Sequence, residues 1–233
     1  MDRTVFRIVI SILVVTLLGC GVGRMNLYLS DLDPKIDTVS QKLGIDVILY
    51  DYPKVGVKRH DEFHKSTAII LTTFEVTQWM VNDATKNLKR YAQDHLAKMT
   101  MDDNITELIG DTPHDSLTLE QAAAVMKMEK ERQNISQDEA KYFITTGANI
   151  GVAVLSLTKF VMEVPKLILT GTAMIANVKA DFTFLFIIPK VWRMPGAVKG
   201  LKESVNRLKS VKNDAPVLLE DSIVLVSAFR ALN

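Results

Sequence analysis

The sequence predicts an all-α fold: a single helical domain, bundled or elongated, built around a central apolar helix pair. Three observations predict it. Apolar residues recur every three or four positions through most of the chain after Asp61, the spacing of one helix face. Two capping-box patterns, Thr118 with Gln121 and Ser136 with Glu139, mark helix starts. The run Ile45 to Tyr50 is the one good strand candidate, and one strand cannot make a sheet. At most a minor strand pair near 45–58 is expected, with Lys54 to Lys58 as the partner of that run.

In chain order, Gly21 to about Ser30 reads as a tether and Pro34 as a helix start, with a short helix from Lys35 to Leu43 closed by Gly44. Ser66 to Met99 carries Ile70, Phe74, Val81, Ala84, Leu88 and Tyr91 on one face, with Lys86, Lys89, Arg90 and Asp94 on others, which is an amphipathic helix. Asp102 or Asp103 can cap a short helix ending at Gly110. The Thr118 box starts the next helix, and the Ser136 box directs the chain into its most apolar part. No charged residue occurs from Tyr142 to Thr158. Pro165 should split this region into helices over about 137–163 and 166–188, because proline suits a helix start and breaks a helix interior. Pro195 and Gly196 mark a connector. A helix from Ala197 to about Asn213 follows, with Val198, Leu201, Val205 and Leu208 as its packing seam, and Pro216 opens a last helix over 217–231.

Composition limits the function classes. The whole chain has 233 residues, a formal charge of +1 and 48% hydrophobic residues. Removing residues 1–19 takes two of the 28 basic and one of the 27 acidic residues, leaving 26 of each. A neutral chain lacks the basic footprint of a nucleic-acid binder. It contains one cysteine, so no internal disulfide is available and burial must hold the fold.

That cysteine, Cys20, stands behind the apolar run Ile8 to Leu18, which follows Arg3 and Arg7. The uncharged stretch is shorter than the roughly 20 residues a membrane-spanning helix needs. Leu17-Leu18-Gly19-Cys20 resembles the lipobox of bacterial lipoproteins, with a branched apolar residue, an apolar one and a small one before the cysteine. The resemblance covers residues 1–21. It implies a signal peptide over 1–19, diacylglycerol on the Cys20 thiol, acylation of its amine, and a tether over 20–33 leading to a helical domain over 34–233. Gly21 is not the Asp that commonly retains such lipoproteins at the inner membrane, so the resemblance implies the periplasmic face of the outer membrane.

Candidates for chemistry are sparse. His60 and His64 would share a helix face one turn apart, the spacing of two zinc ligands, but Asp61 stands where the zincin pattern has Glu. A third ligand would have to come from His95, His114 or a carboxylate. The Asp51-Tyr52 pair behind an apolar run lacks the Gly-x-Ser-x-Gly elbow of a hydrolase. Asp102, Asp103 and Glu107 are explained as helix-start acids. No cofactor is expected.

Two regions offer binding instead. Gly147, Gly151, Lys159, Glu163 and Pro165 mark a helix-packing or membrane-insertion face within the apolar helices 142–188. Lys199, Lys202, Arg207, Lys209 and Lys212 could rest on anionic lipid or an acidic partner. The expected protein is a non-catalytic binding or scaffolding component of the cell envelope, held to a membrane through Cys20 and meeting an envelope protein partner. The alternatives are a membrane-active or lipid-binding protein using 142–188, and a zinc hydrolase using His60 and His64.

Overall fold

A computed structural model describes residues 23–25, 41, 50–99, 103–110, 112–113, 116–183 and 193–232. Cys20, the signal region, most of the expected helix over 35–43, the run Ile45 to Leu49 and the connector over 184–192 lie outside them; Gln41 is helical. The fold is all-α. Strand β1 (Gly23–Met25) pairs antiparallel with β2 (Tyr52–Lys54), placing Gly23 opposite Lys54 and Met25 opposite Tyr52. Strand β2 falls within the stretch near 45–58 where a minor strand pair is expected. Lys54 ends β2, Lys58 is already helical, and the partner of β2 comes from the stretch expected as a tether.

Helix α1 (Lys58–Leu96) begins eight residues before the expected Ser66. The reason is local: the Asp61 carboxylate accepts from the Val55 N–H at 2.7 Å and from the Gly56 N–H, tying the arriving chain to the first turn. Gly56 has φ +75°, a left-handed conformation that glycine adopts without strain. Helix α2 (Asp103–Ile109) closes at Gly110, also left-handed at φ +57°. Helix α3 (Leu119–Glu131) starts at the Thr118 capping box. The Gln121 N–H donates to the Thr118 hydroxyl at 3.2 Å, and the Thr118 N–H donates to Gln121 Oε1 at 2.9 Å.

Helix α4 (Gln137–Thr183) starts at the second box, where the Ser136 N–H and hydroxyl both donate to Glu139 Oε2. It is one continuous helix, where two were expected around Pro165. Helix α5 (Met194–Leu232) likewise continues through Pro216, joining the helices expected over 197–213 and 217–231. Each proline removes one helical N–H and costs on the order of 3 kcal/mol in a helix interior. Packing on both sides offsets that cost: Phe160, Val164 and Met174 are buried along α4, and Ala215 and Leu218 flank Pro216 on α5.

The described residues group into two compact units, one within 1–32, 48–72 and 162–212, the other within 33–47, 73–161 and 213–233. In the first unit, Val55, Val57, Val178, Phe182 and Ala197 form a buried cluster against which Met194 and Val198 pack. Gly171 allows a close approach there, since a Cβ on it would fall 2.5 Å from Phe63 Cζ and 2.6 Å from Val205 Cγ2. In the second unit, Phe143 stacks on Phe229 with ring centres 5.6 Å apart, and Tyr91 meets both Tyr142 and Phe143 at 5.5 Å. Phe74 lies edge-on to Phe160 in the same unit.

Candidate functional site

The first unit holds a cavity of about 540 Å³, within the size range of small-molecule sites. Tyr50, Asp51, Tyr52 and Pro53 line it from the segment containing β2. Helix α1 contributes His64, Thr67, Ala68 and Leu71, and α5 contributes Gly196, Lys199, Gly200, Glu203, Ser204 and Arg207. Those α5 positions recur every three or four residues, so one helix face supplies them. Gly200 lets α5 come close: a Cβ there would meet Pro53 Cγ at 3.0 Å and His64 Cε1 at 3.4 Å.

His64 is the chemical centre of the cavity. Its Nδ1 is hydrogen-bonded to Ser204 Oγ at 3.0 Å. Burial, with a smaller contribution from neighbouring His60, pushes its pKa down to about 4. The imidazole is therefore neutral at pH 7, and its Nε2 is buried with no hydrogen-bond partner. Thr67 Oγ1, one turn further along α1, is buried in the same condition. At the mouth, the Arg207 guanidinium lies 5.4 Å from the Tyr50 ring centre, a cation–π contact. Lys199 Nζ and Glu203 Oε1 are 4.0 Å apart, both exposed.

His60 faces another way. Its Nε2 donates to Asp181 Oδ2 at 2.9 Å, Arg59 lies 3.9 Å from the other carboxylate oxygen, and Phe182 meets the ring edge-on. The zinc spacing is thus present on α1, but the two rings serve different partners. Among the described residues no group of three or more His, Cys, Asp or Glu is placed to hold a metal ion. His95 belongs to the second unit. Its Nδ1 lies 3.1 Å from Glu129 Oε2 and its Nε2 3.0 Å from Glu139 Oε1, so one ring ties α1, α3 and α4 together. Burial raises the pKa of Glu139, but the Ser136 hydroxyl and N–H together with His95 outweigh it and hold the carboxyl below its ordinary value. His114 lies outside the described residues.

The basic residues expected on α5 divide between two faces. Lys199 and Arg207 line the cavity. Lys202, Lys209 and Lys212 are exposed, and an ideal helix at about 100° per residue turns them away from the cavity face. On α4, Gly147 packs against Phe229, where its absent Cβ would lie 3.1 Å from Phe229 Cβ, whereas a Cβ at Gly151 would have nothing within 4 Å. Lys159 and Glu163 are exposed and Pro165 is half-buried.

Sequence reasoning missed Thr67, Asp181 and Ser204. Ser204 had one signal: it is the polar residue beside the apolar seam of Leu201, Val205 and Leu208. Asp181 likewise interrupts an apolar run. Neither reveals its partner, which is more than a hundred positions away.

No family model, curated protein or solved structure matches the chain.

Proposed function

We propose that this chain is an exported lipoprotein, anchored through Cys20 to the bacterial envelope on the periplasmic face of the outer membrane, where it binds a ligand or an envelope protein partner without catalysis. The observation that carries the anchor is the charge-led apolar run ending in Leu17-Leu18-Gly19-Cys20. The built cavity of the first unit supports a binding role. The acidity of the His64 imidazolium supports the non-catalytic reading, because a histidine with a pKa of about 4 is a weak base for activating the Ser204 hydroxyl. Labelling cells with a radioactive or alkynyl palmitate tests the anchor: label on the wild-type chain and none on the Cys20→Ala chain is expected. Unlabelled wild-type protein recovered in the soluble fraction would overturn it.

A second reading has its own observation. Ile144, Leu155, Met162 and Leu169 are all exposed on α4, at 55%, 61%, 59% and 71%. Ile144 and Leu155 lie 11 residues apart in the second unit and Met162 and Leu169 7 apart in the first, each close to a whole number of turns at about 3.6 residues per turn, so each pair shares a face within its own unit. No helix among the described residues is long and apolar enough to cross a membrane. Exposed apolar pairs of this kind suit an interfacial contact with lipid. Leakage from dye-loaded vesicles with the wild-type chain, lost in a Leu155→Glu, Leu169→Glu double variant, is expected on this reading; intact vesicles at all protein concentrations would end it.

A further inference from the structure

We propose that the cavity of the first unit takes a zwitterionic ligand carrying a phosphate and a primary amine, the chemistry of phosphoethanolamine. The charged lining is balanced: Lys199 and Arg207 supply two cations, Asp51 and Glu203 two carboxylates. An anion alone would meet Asp51 and Glu203 unfavourably, and a simple amine would meet Lys199 and Arg207. A ligand bearing both charges is complementary to both pairs. Lys199 and Glu203 do not use each other up, since a pair 4.0 Å apart with both ends exposed contributes little. Arg207, steadied over Tyr50, offers the planar fork that suits phosphate oxygens.

The cavity floor points to a polar occupant. His64 Nε2 and Thr67 Oγ1 are buried and lack hydrogen-bond partners, and buried polar atoms of this kind are normally satisfied. Both atoms are covered by their neighbours, so the oxygen atoms of a bound phosphate ester would satisfy them only with a small shift of the cavity wall. Tyr52, Pro53, Ala68 and Leu71 supply the apolar wall against the ligand's carbon chain.

Phosphate is favoured over carboxylate by the position of the anchor, and this choice rests on the anchored reading of Cys20. Strand β1 is paired with the Tyr52 and Pro53 that line the cavity, and Gly23 begins that strand three residues after Cys20. Three extended residues span at most about 11 Å. A lipidated Cys20 therefore holds β1 close to membrane headgroups, and phosphoethanolamine is one of them.

The test is calorimetric titration of the full-length, lipidated chain in maltoside micelles with phosphoethanolamine, inorganic phosphate, ethanolamine and glycine. Saturable binding of phosphoethanolamine, at least about tenfold tighter than of the other three, is expected from adding one charged hydrogen bond. Arg207→Gln and Glu203→Gln, both exposed positions, should each weaken it about tenfold while leaving the circular dichroism spectrum unchanged. Thr67→Val probes the floor with the same expected direction. Competition by nanodiscs containing phosphatidylethanolamine, but not by phosphatidylcholine nanodiscs, assigns the ligand as a lipid headgroup; binding without competition assigns a free phosphate ester. Equal affinity for phosphate or glycine, or affinity unchanged in both charge variants, overturns the proposal. Absence of lipid on Cys20 would overturn the anchor and leave this titration interpretable.

Discussion

Ser204 Oγ and His64 Nδ1 lie 3.0 Å apart, joining α5 to α1 inside the first unit across 140 positions of sequence. Both residues are buried. The bond fixes the imidazole in the cavity wall beside Gly200, and it gives the buried Nδ1 the partner it needs. Replacing Ser204 with Ala should therefore cost about 1 to 3 kcal/mol of unfolding free energy, read from urea denaturation at pH 7, because it leaves a buried nitrogen unpaired.

The same histidine gives the fold a defined pH dependence. Its pKa in the folded chain is about 4, against 6.5 for an ordinary histidine. Between these values the unfolded chain binds the proton and the folded chain does not, so stability rises with pH through this window. The contribution is present above pH 6.5 and is lost as pH falls toward 4, in total about 3 kcal/mol at about 1.4 kcal/mol per unit. Urea unfolding of the wild type and of His64→Gln at pH 7, 6, 5 and 4 should show the difference between them shrinking on acidification. A difference that stays constant would contradict a buried neutral imidazole.

Glycines on one helix separate crowding from openness. Gly171→Ala would force a Cβ to within 2.5 Å of Phe63 and 2.6 Å of Val205, and should destabilise by about 1 to 3 kcal/mol through overpacking. Gly151→Ala meets nothing within 4 Å and should stabilise by up to about 1 kcal/mol through helix propensity. Thermal unfolding of the two variants should move in opposite directions.

The helix starts were legible in the sequence because a capping box is local. Thr118 with Gln121, and Ser136 with Glu139, sit three residues apart and form the expected reciprocal bonds. The helix continuations were not legible. Pro165 and Pro216 carry a local signal to stop, and it is outweighed by burial of residues on either side, which periodicity alone does not weigh. The candidate site was legible in part: His64, Lys199 and Arg207 were singled out, the first for a metal and the others for anionic lipid or an acidic partner. Thr67 and Ser204 were not, because their significance arises only where α1 and α5 meet in the first unit.

The Ser136 box has a further consequence in the second unit. Glu139 caps the start of α4 through Ser136 while its other oxygen lies 3.0 Å from His95 Nε2. Ser136→Ala should cost about 1 kcal/mol, the usual effect of losing a cap. Because the folded pKa of Glu139 is depressed, its stabilising effect is present above the ordinary carboxylate range and lost as pH falls through the lowered value. The penalty of Ser136→Ala in chemical denaturation should accordingly be larger at pH 7 than at pH 3; equal penalties would show that the carboxylate has no part in the cap.

The proposed lipid anchor at Cys20 is open to intact-mass and peptide mass spectrometry of the chain purified from membranes. The expected result is an N-terminus at Cys20, with diacylglycerol on the thiol and a fatty acyl chain on the amine, and residues 1–19 absent. A wild-type chain that retains Met1 to Gly19 and an unmodified Cys20 thiol would contradict it.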